Sequence, residues 1–131
     1  MQRMCWLLLP ACLICGCSAD DIPLAEVTGR VTFNGQPSPA EIVFQPHDPQ
    51  GKTTGRPSMA HAAGDGTFRL FFTRERPGAV VGPHQISIAV LRRHDAKEPQ
   101  TYTEAVAPLK SVRLQRVVEP GRNYFDFAIK Y

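Results

Sequence analysis

The sequence has no cysteine after position 17. Its four cysteines all lie near the start, at Cys5, Cys12, Cys15 and Cys17. The rest of the chain can therefore form no internal disulfide and can offer no thiolate to a metal. Cys15 and Cys17 have C-x-C spacing, but the run around them is apolar and lacks the second pair that a structural zinc site needs. No zinc site is expected at these cysteines.

Long hydrophobic runs are also missing. The most apolar stretch extends from Trp6 to Ile14, whereas a helix that crosses a bilayer needs about 20 residues. This stretch follows the positive charge of Arg3 and precedes polar residues at 18–21. Such an arrangement is typical of an export signal. The sequence therefore predicts a cleaved leader and no membrane-spanning helix.

Charge of either sign is not concentrated anywhere in the chain. The 15 Lys and Arg residues and 12 Asp and Glu residues give a net charge of +3, and Arg3 would be lost with the leader. The nearest approach to a basic cluster is formed by Arg92, Arg93, Arg113 and Arg116. Nucleic acids bind where several cations share one face, so no nucleic-acid partner is expected.

No residue arrangement typical of catalysis is present. Ser58 and Ser87 lack the G-x-S-x-G turn that carries a serine nucleophile. The acidic residues fall in separate polar segments with no sign of a paired acid and base; they include Asp48, Asp65, Glu75 and Glu104. We therefore expect a protein without catalytic activity.

Metal and cofactor sites are not indicated either. The four histidines are dispersed at His47, His61, His84 and His94. The pair His94-Asp95 offers only two ligands, which do not make a metal site. Asp65-Gly66 lacks the alternating acidic ligands of a calcium loop and favours a hairpin turn. No metal and no cofactor are expected.

The sequence does contain period-two alternation, broken by turn residues among its 12 prolines and 10 glycines. The alternation predicts seven strands, at 26–33, 41–45, 58–63, 67–73, 84–91, 112–118 and 124–131. Asn34-Gly35 predicts a hairpin between the first two strands, and Gly64-Asp65-Gly66 predicts one between the third and fourth. The predicted fold is all-β, a seven-stranded Greek-key β-sandwich.

Phenylalanines supply most of the predicted core. Side chains of this size can fill the gap of ~10 Å between two packed sheets. Those on inward faces are Phe33, Phe44, Phe68, Phe72, Phe125 and Phe127. Phe71 breaks the alternation of its strand, which indicates either a contact with a partner or a position beneath a loop.

A polar segment at 92–110 has no apolar period and is predicted to be a loop. Loops of this length are uncommon in compact domains and are often functional. One hypothesis is a contact loop for an envelope polysaccharide, peptidoglycan or a protein. The alternative is a solvated, variable insertion. The candidate contact residues are Arg92, Arg93, His94, Lys97 and Tyr102.

The end of the leader resembles a lipobox, the signal of bacterial lipoproteins. Ile14-Cys15-Gly16-Cys17 has the aliphatic residue, the glycine and the cysteine of that pattern, with Cys15 where Ala or Ser is usual. The resemblance implies cleavage before Cys17 and acylation of that residue. Stable anchoring takes more than one acyl chain. Cleavage before Cys12 and ordinary secretion are the alternatives.

Five segments resemble carboxypeptidase regulatory-like domains, which are transthyretin-like β-sandwiches. The resemblance extends over residues 27–130, and it implies this sandwich fold without any catalytic residue to transfer. His84 stands where the family often has Tyr, and 57–61 fits the third strand poorly. The matching segments are Val27–Pro37, Glu41–Phe44, Ala63–Leu70, Gly82–Ile88 and Glu119–Phe127.

These observations predict a signal peptide at 1–16, a lipidated cysteine with a short tether at 17–25, and a β-sandwich at 26–131. We expect a lipid-anchored envelope protein at the outer membrane or cell surface that acts as a binding or structural module. Its expected partners are the membrane, through the anchor, and an envelope polysaccharide or protein. The alternatives are an accessory subunit of an envelope complex and a freely secreted binding domain.

Overall fold

The computed structural model describes residues 22–92 and 108–131. These residues form nine strands and no helix, which confirms the all-β prediction. In these two ranges no helix is long and apolar enough to cross a membrane. The strands are β1 (Leu24–Phe33), β2 (Gln36–Pro37), β3 (Ala40–Pro46), β4 (Ser58–Ala62), β5 (Thr67–Arg69), β6 (Ala79–Val80), β7 (Gly82–Val90), β8 (Lys110–Val118) and β9 (Arg122–Ile129).

Some of the predictions concern other parts of the chain. The leader, Cys17 and most of the tether lie outside the described residues. So do four of the five candidate contact residues, Arg93, His94, Lys97 and Tyr102.

The strands form two sheets that enclose one core. The first sheet is built on β1, which pairs in parallel with β9 along one edge and with β2, β5 and β6 along the other. The second sheet has the order β4-β3-β7-β8 and is antiparallel throughout. Seven strands have three or more residues and overlap the seven predicted segments, while β2 and β6 have two residues each. The Greek-key connection order stays a prediction.

The predicted hairpin between the first two long strands is wrong, because β3 does not pair with β1. Asn34 and Gly35 do form a tight turn, with φ of 50° and 81°. The chain then pairs with β1 only through the two residues of β2 before it crosses to the other sheet, where β3 pairs with β4 and β7. The reason is that β5 and β6 occupy the rest of that edge of β1.

The second predicted hairpin divides between the two sheets. The Ala63 N–H donates to Thr67 O (3.1 Å), and Met59 and Phe71 exchange two backbone hydrogen bonds of 3.0 and 2.9 Å. Between these contacts β4 pairs with β3 while β5 pairs with β1. The predicted turn is therefore present, but the two strands separate to form a corner of the sandwich.

Aromatic rings fill the centre of the core. Of the six predicted core phenylalanines, four are buried, and Phe33 and Phe125 are half-buried against them. The Phe44 ring lies 5.7 Å from Phe125, and Phe127 stacks on both Phe68 and Phe125. These rings come from both sheets, so they hold the sheets together through apolar burial and aromatic contacts.

The first strand begins two residues before the predicted boundary at Glu26. Leu24 and Ala25 pair with Val80 and Ala79 of β6, and Ala25 is buried. Alternation from Ala25 to Val27 continues the inward face of the strand. The ordered domain therefore includes the last part of the segment predicted as tether.

Candidate functional site

An open groove of about 970 Å³ lies where β4 meets the chain that follows β5. Its apolar lining includes Met59 from β4 and Phe71 and Phe72 from beyond β5. Its cations are Arg56, Arg69 and Arg74. We refer to it as the β4–β5 groove.

Strand alternation places these side chains on the outer surface. In β4 the small residues Ser58, Ala60 and Ala62 face the core, which leaves Met59 and His61 exposed. After Phe68 the same alternation buries Leu70 and exposes Arg69 and Phe71. Because Met59 and Phe71 are paired through their backbones, the two exposed sets lie side by side. The corner between the sheets thus creates a surface that neither segment forms alone.

Arginines pack on the phenylalanine rings of the groove. The Arg69 guanidinium carbon lies 5.8 Å from the centre of the Phe71 ring. Those of Arg56 and Arg76 lie 5.9 and 5.6 Å from the centre of the Phe72 ring. Contacts of this kind contribute about 0.5–1 kcal/mol each at exposed sites. When the flat face of a guanidinium packs on a ring, its N–H groups point outward in the guanidinium plane. There they can donate hydrogen bonds to an anion.

The groove has an excess of positive charge. No carboxylate is among its lining residues. Within the described parts of the chain, Glu26 pairs with Arg122 at 3.3 Å, and Glu41 Oε1 lies 3.9 Å from Nδ1 of His61, which lines the groove. Neither pair involves a groove arginine, and Glu41 lies beside the groove on β3. The groove can therefore bind a ligand in which an anionic group lies next to an apolar part.

The described part of the predicted contact loop does not line the groove. Arg92, the one candidate contact residue that the structure describes, is exposed just after β7 and does not line the groove. Lys110, the last residue of the predicted loop, is the first residue of β8. The function of the remaining loop stays a prediction. In the sequence, Phe71 departed from the alternation, which indicated either a partner contact or a position beneath a loop; the structure places it exposed in the groove, and a partner contact there stays a prediction.

The histidines that the structure describes do not form a cluster. His47 Nδ1 lies 2.8 Å from Asp48 O, and His61 is exposed on β4. His84 is fully buried, with Nδ1 2.9 Å from Gly82 O and no partner for Nε2 among the described residues. Burial lowers the pKa of His84 below its ordinary value. Residues 22–92 and 108–131 contain no group of three His, Cys, Asp or Glu that could hold a metal ion.

Asp65 is a turn residue, as predicted. Its Oδ1 accepts hydrogen bonds from the Thr67 hydroxyl (2.7 Å) and the Thr67 N–H (3.0 Å), which lower the pKa of the carboxyl. Gly66 has a φ of 80°, and a Cβ there would lie 2.3 Å from Val31 O. The residues of this segment thus serve the turn between β4 and β5.

The serines and acids considered for catalysis remain apart where the structure describes them. Ser58 is buried in β4, whereas Ser87 is exposed on β7. Asp48 accepts backbone hydrogen bonds from Gln50 and Lys52 in its own loop, far along the chain from Asp65 and Glu75. Glu104 lies outside the described residues.

Comparisons with known proteins add little to this geometry. No family model matches the chain, and no curated protein matches it. A solved structure of a DUF3823 family protein from Parabacteroides merdae is 17% identical, with a TM-score of 0.43. The match covers 82% of this chain, which spans 46% of the length of that structure. A similarity at this level defines neither a family nor a function.

Proposed function

We propose that the protein is a non-catalytic binding module of the cell envelope and that the β4–β5 groove holds an anionic group of its ligand. One observation carries this proposal: three arginines line the groove, and no carboxylate does. Two of them pack on phenylalanine rings, which limits their motion before a ligand arrives. Less side-chain entropy is then lost on binding.

The proposal includes attachment to a membrane through Cys17. Its support is the Ile14-Cys15-Gly16-Cys17 sequence behind a short apolar run. The resemblance to carboxypeptidase regulatory-like domains supports a binding or structural role, since that resemblance transfers no catalytic residue. An outer-membrane or cell-surface location belongs to the same proposal, because Ser18 and not Asp follows the anchor.

Removal of the groove cations tests the binding site. Two variants of the full chain lose the same charge, one in the groove and one at the opposite edge of the second sheet. The groove variant is Arg56→Gln, Arg69→Gln and Arg74→Gln. The edge variant is Lys110→Gln, Arg113→Gln and Arg116→Gln, all on β8.

We expect the groove variant to bind dextran sulfate about tenfold more weakly than the edge variant. Each exposed charged contact contributes roughly 0.2–1 kcal/mol, so three contacts near the middle of that range give this change. Binding is measured by titration of the purified chain in detergent, with uncharged dextran as the reference ligand. Equal weakening in both variants would show that net charge, and not the groove, determines binding, and would contradict the proposal.

A further inference from the structure

Ile22, the first described residue, lies at the rim of the β4–β5 groove. The Arg76 guanidinium donates a hydrogen bond to Ile22 O (3.2 Å) and lies 5.6 Å from the centre of the Phe72 ring. Phe72 lines the groove. The Arg76 side chain therefore connects Ile22, the first described residue, to the groove.

The proposed anchor is close to Ile22 in the sequence. Five peptide units separate Cys17 from Ile22, and an extended chain of that length spans at most about 18 Å. An acylated Cys17 would thus hold Ile22, and with it the rim of the groove, near the bilayer surface. Covalent geometry alone imposes this limit, whatever path the tether follows.

The groove and its rim have the chemistry of a membrane interface. Met59 and Phe71 line the groove with 53% and 40% exposure, and Ile22, which Arg76 joins to Phe72, is 40% exposed. Met59 and Phe71 share the groove with its arginines, and aromatic and basic side chains are both favoured at the level of lipid headgroups. The tether itself carries Asp20 and Asp21. Attraction to anionic headgroups therefore has to come from the groove and not from the tether.

We infer that the β4–β5 groove docks on the anionic headgroup surface of the membrane that holds the Cys17 anchor. The inference rests on the proposed function, because it needs both the anchor and the anionic specificity of the groove. In this orientation β4 faces the bilayer. β8, at the other edge of the same sheet, is the strand farthest from it.

Two fluorescent positions report this orientation. The variants Ala63→Cys, exposed directly after β4 and outside the groove lining, and Ser111→Cys, exposed on β8, each add one thiol. After processing, the chain would have no other free thiol, because Cys5, Cys12 and Cys15 lie in the leader and the Cys17 sulfur is acylated. The full chain is purified from membranes, labelled with a donor, and reconstituted in vesicles that carry an acceptor on some headgroups.

In phosphatidylcholine vesicles that contain phosphatidylglycerol, we expect more energy transfer from position 63 than from position 111. The difference should shrink in pure phosphatidylcholine, because that lipid has no net charge. It should also shrink at high salt, because salt screens the attraction. It should disappear in the groove variant and persist in the edge variant. Each arginine near an anionic surface contributes about fivefold to partitioning, so loss of three weakens docking about a hundredfold.

Equal transfer from both positions in anionic vesicles would overturn the inference. If dextran sulfate binding still depended on the groove arginines, the proposed function would stand and only the membrane as partner would fall. A chain that does not stay with the vesicles, or whose Cys17 reacts with the label, would overturn the anchor and the inference together.

Discussion

His84 is a polar residue inside an otherwise apolar core. Its ring lies 5.7 Å from Phe44, and its side chain is fully buried at the start of β7. Desolvation lowers its pKa, and the nearby His47 acts in the same direction, while the hydrogen bond with Gly82 opposes both. A buried polar atom without a partner destabilises a fold, and a buried charge does so far more. The folded protein therefore favours the neutral form of His84, and its stability should decrease at acidic pH.

We predict that the stability of the protein falls as the pH drops below 6.5, the ordinary pKa of histidine. In the unfolded chain His84 takes up a proton in that range, whereas the folded state resists it until the pH reaches its lowered pKa. The free energy of unfolding should therefore decrease by up to about 1.4 kcal/mol per pH unit. Urea titrations at a series of pH values measure this slope.

The variant His84→Leu should remove this part of the slope, since leucine cannot bind a proton. The matched control is His61→Gln, because His61 is an exposed histidine on β4, outside the core. If His84→Leu retained the full slope, other groups would have to cause the acid sensitivity.

Among the strands, β1 holds the first sheet together, and it does so with a glycine at its centre. Gly29 is paired with Phe125 of β9 on one side and with Phe68 of β5 on the other. A Cβ at this position would lie 2.1 Å from Phe125 O and 2.6 Å from the Phe68 ring. The absence of a side chain lets Phe68 cover the strand and reach Phe127.

The substitution Gly29→Ala should destabilise the protein by about 3 kcal/mol, because either β9 or the Phe68 ring has to move. The control Gly64→Ala should stay within about 0.5 kcal/mol, since a Cβ there meets nothing within 4 Å. The midpoints of urea unfolding test both values. A loss at Gly29 no larger than at Gly64 would mean that the core accommodates the methyl group.

Which strands pair was harder to predict than which residues form strands. Alternation identified the inward faces of β3, with Ile42 and Phe44 buried, but an inward face looks the same in either sheet. The turn at Asn34-Gly35 is local, whereas the partner of β3 depends on β5 and β6, which are far along the chain. The groove was hidden for the same reason, because its two sides belong to strands that separate between the sheets.

At the scale of the whole molecule, the proposed anchor at Cys17 would determine where this domain can act. We predict that the N-terminal peptide from the membrane fraction has a lipid-modified mass that begins at Cys17. The variant Cys17→Ala should lose that mass, whereas Cys15→Ala, which introduces the more usual lipobox residue, should keep it. Intact-mass spectrometry of the two variants and the native chain makes the measurement.

Other masses would point to the alternatives. A lipid-modified peptide that starts at Cys12 would move the cleavage site to the earlier cysteine. An unmodified N-terminus in the soluble fraction would make the protein a freely secreted domain, and the orientation proposed for the groove would then have no basis.

The sequence by itself determined the all-β class, the seven longer strands and most of the core, because alternation and turn residues act over a few neighbouring positions. It also marked Phe71 as an exception to the alternation, without deciding between a partner contact and a position beneath a loop. Only the tertiary structure decided which sheet each strand joins, and that Arg56, Arg69 and Arg74 line one groove. The physical reason is that sheet pairing and surface charge depend on contacts between distant segments, which no local pattern records.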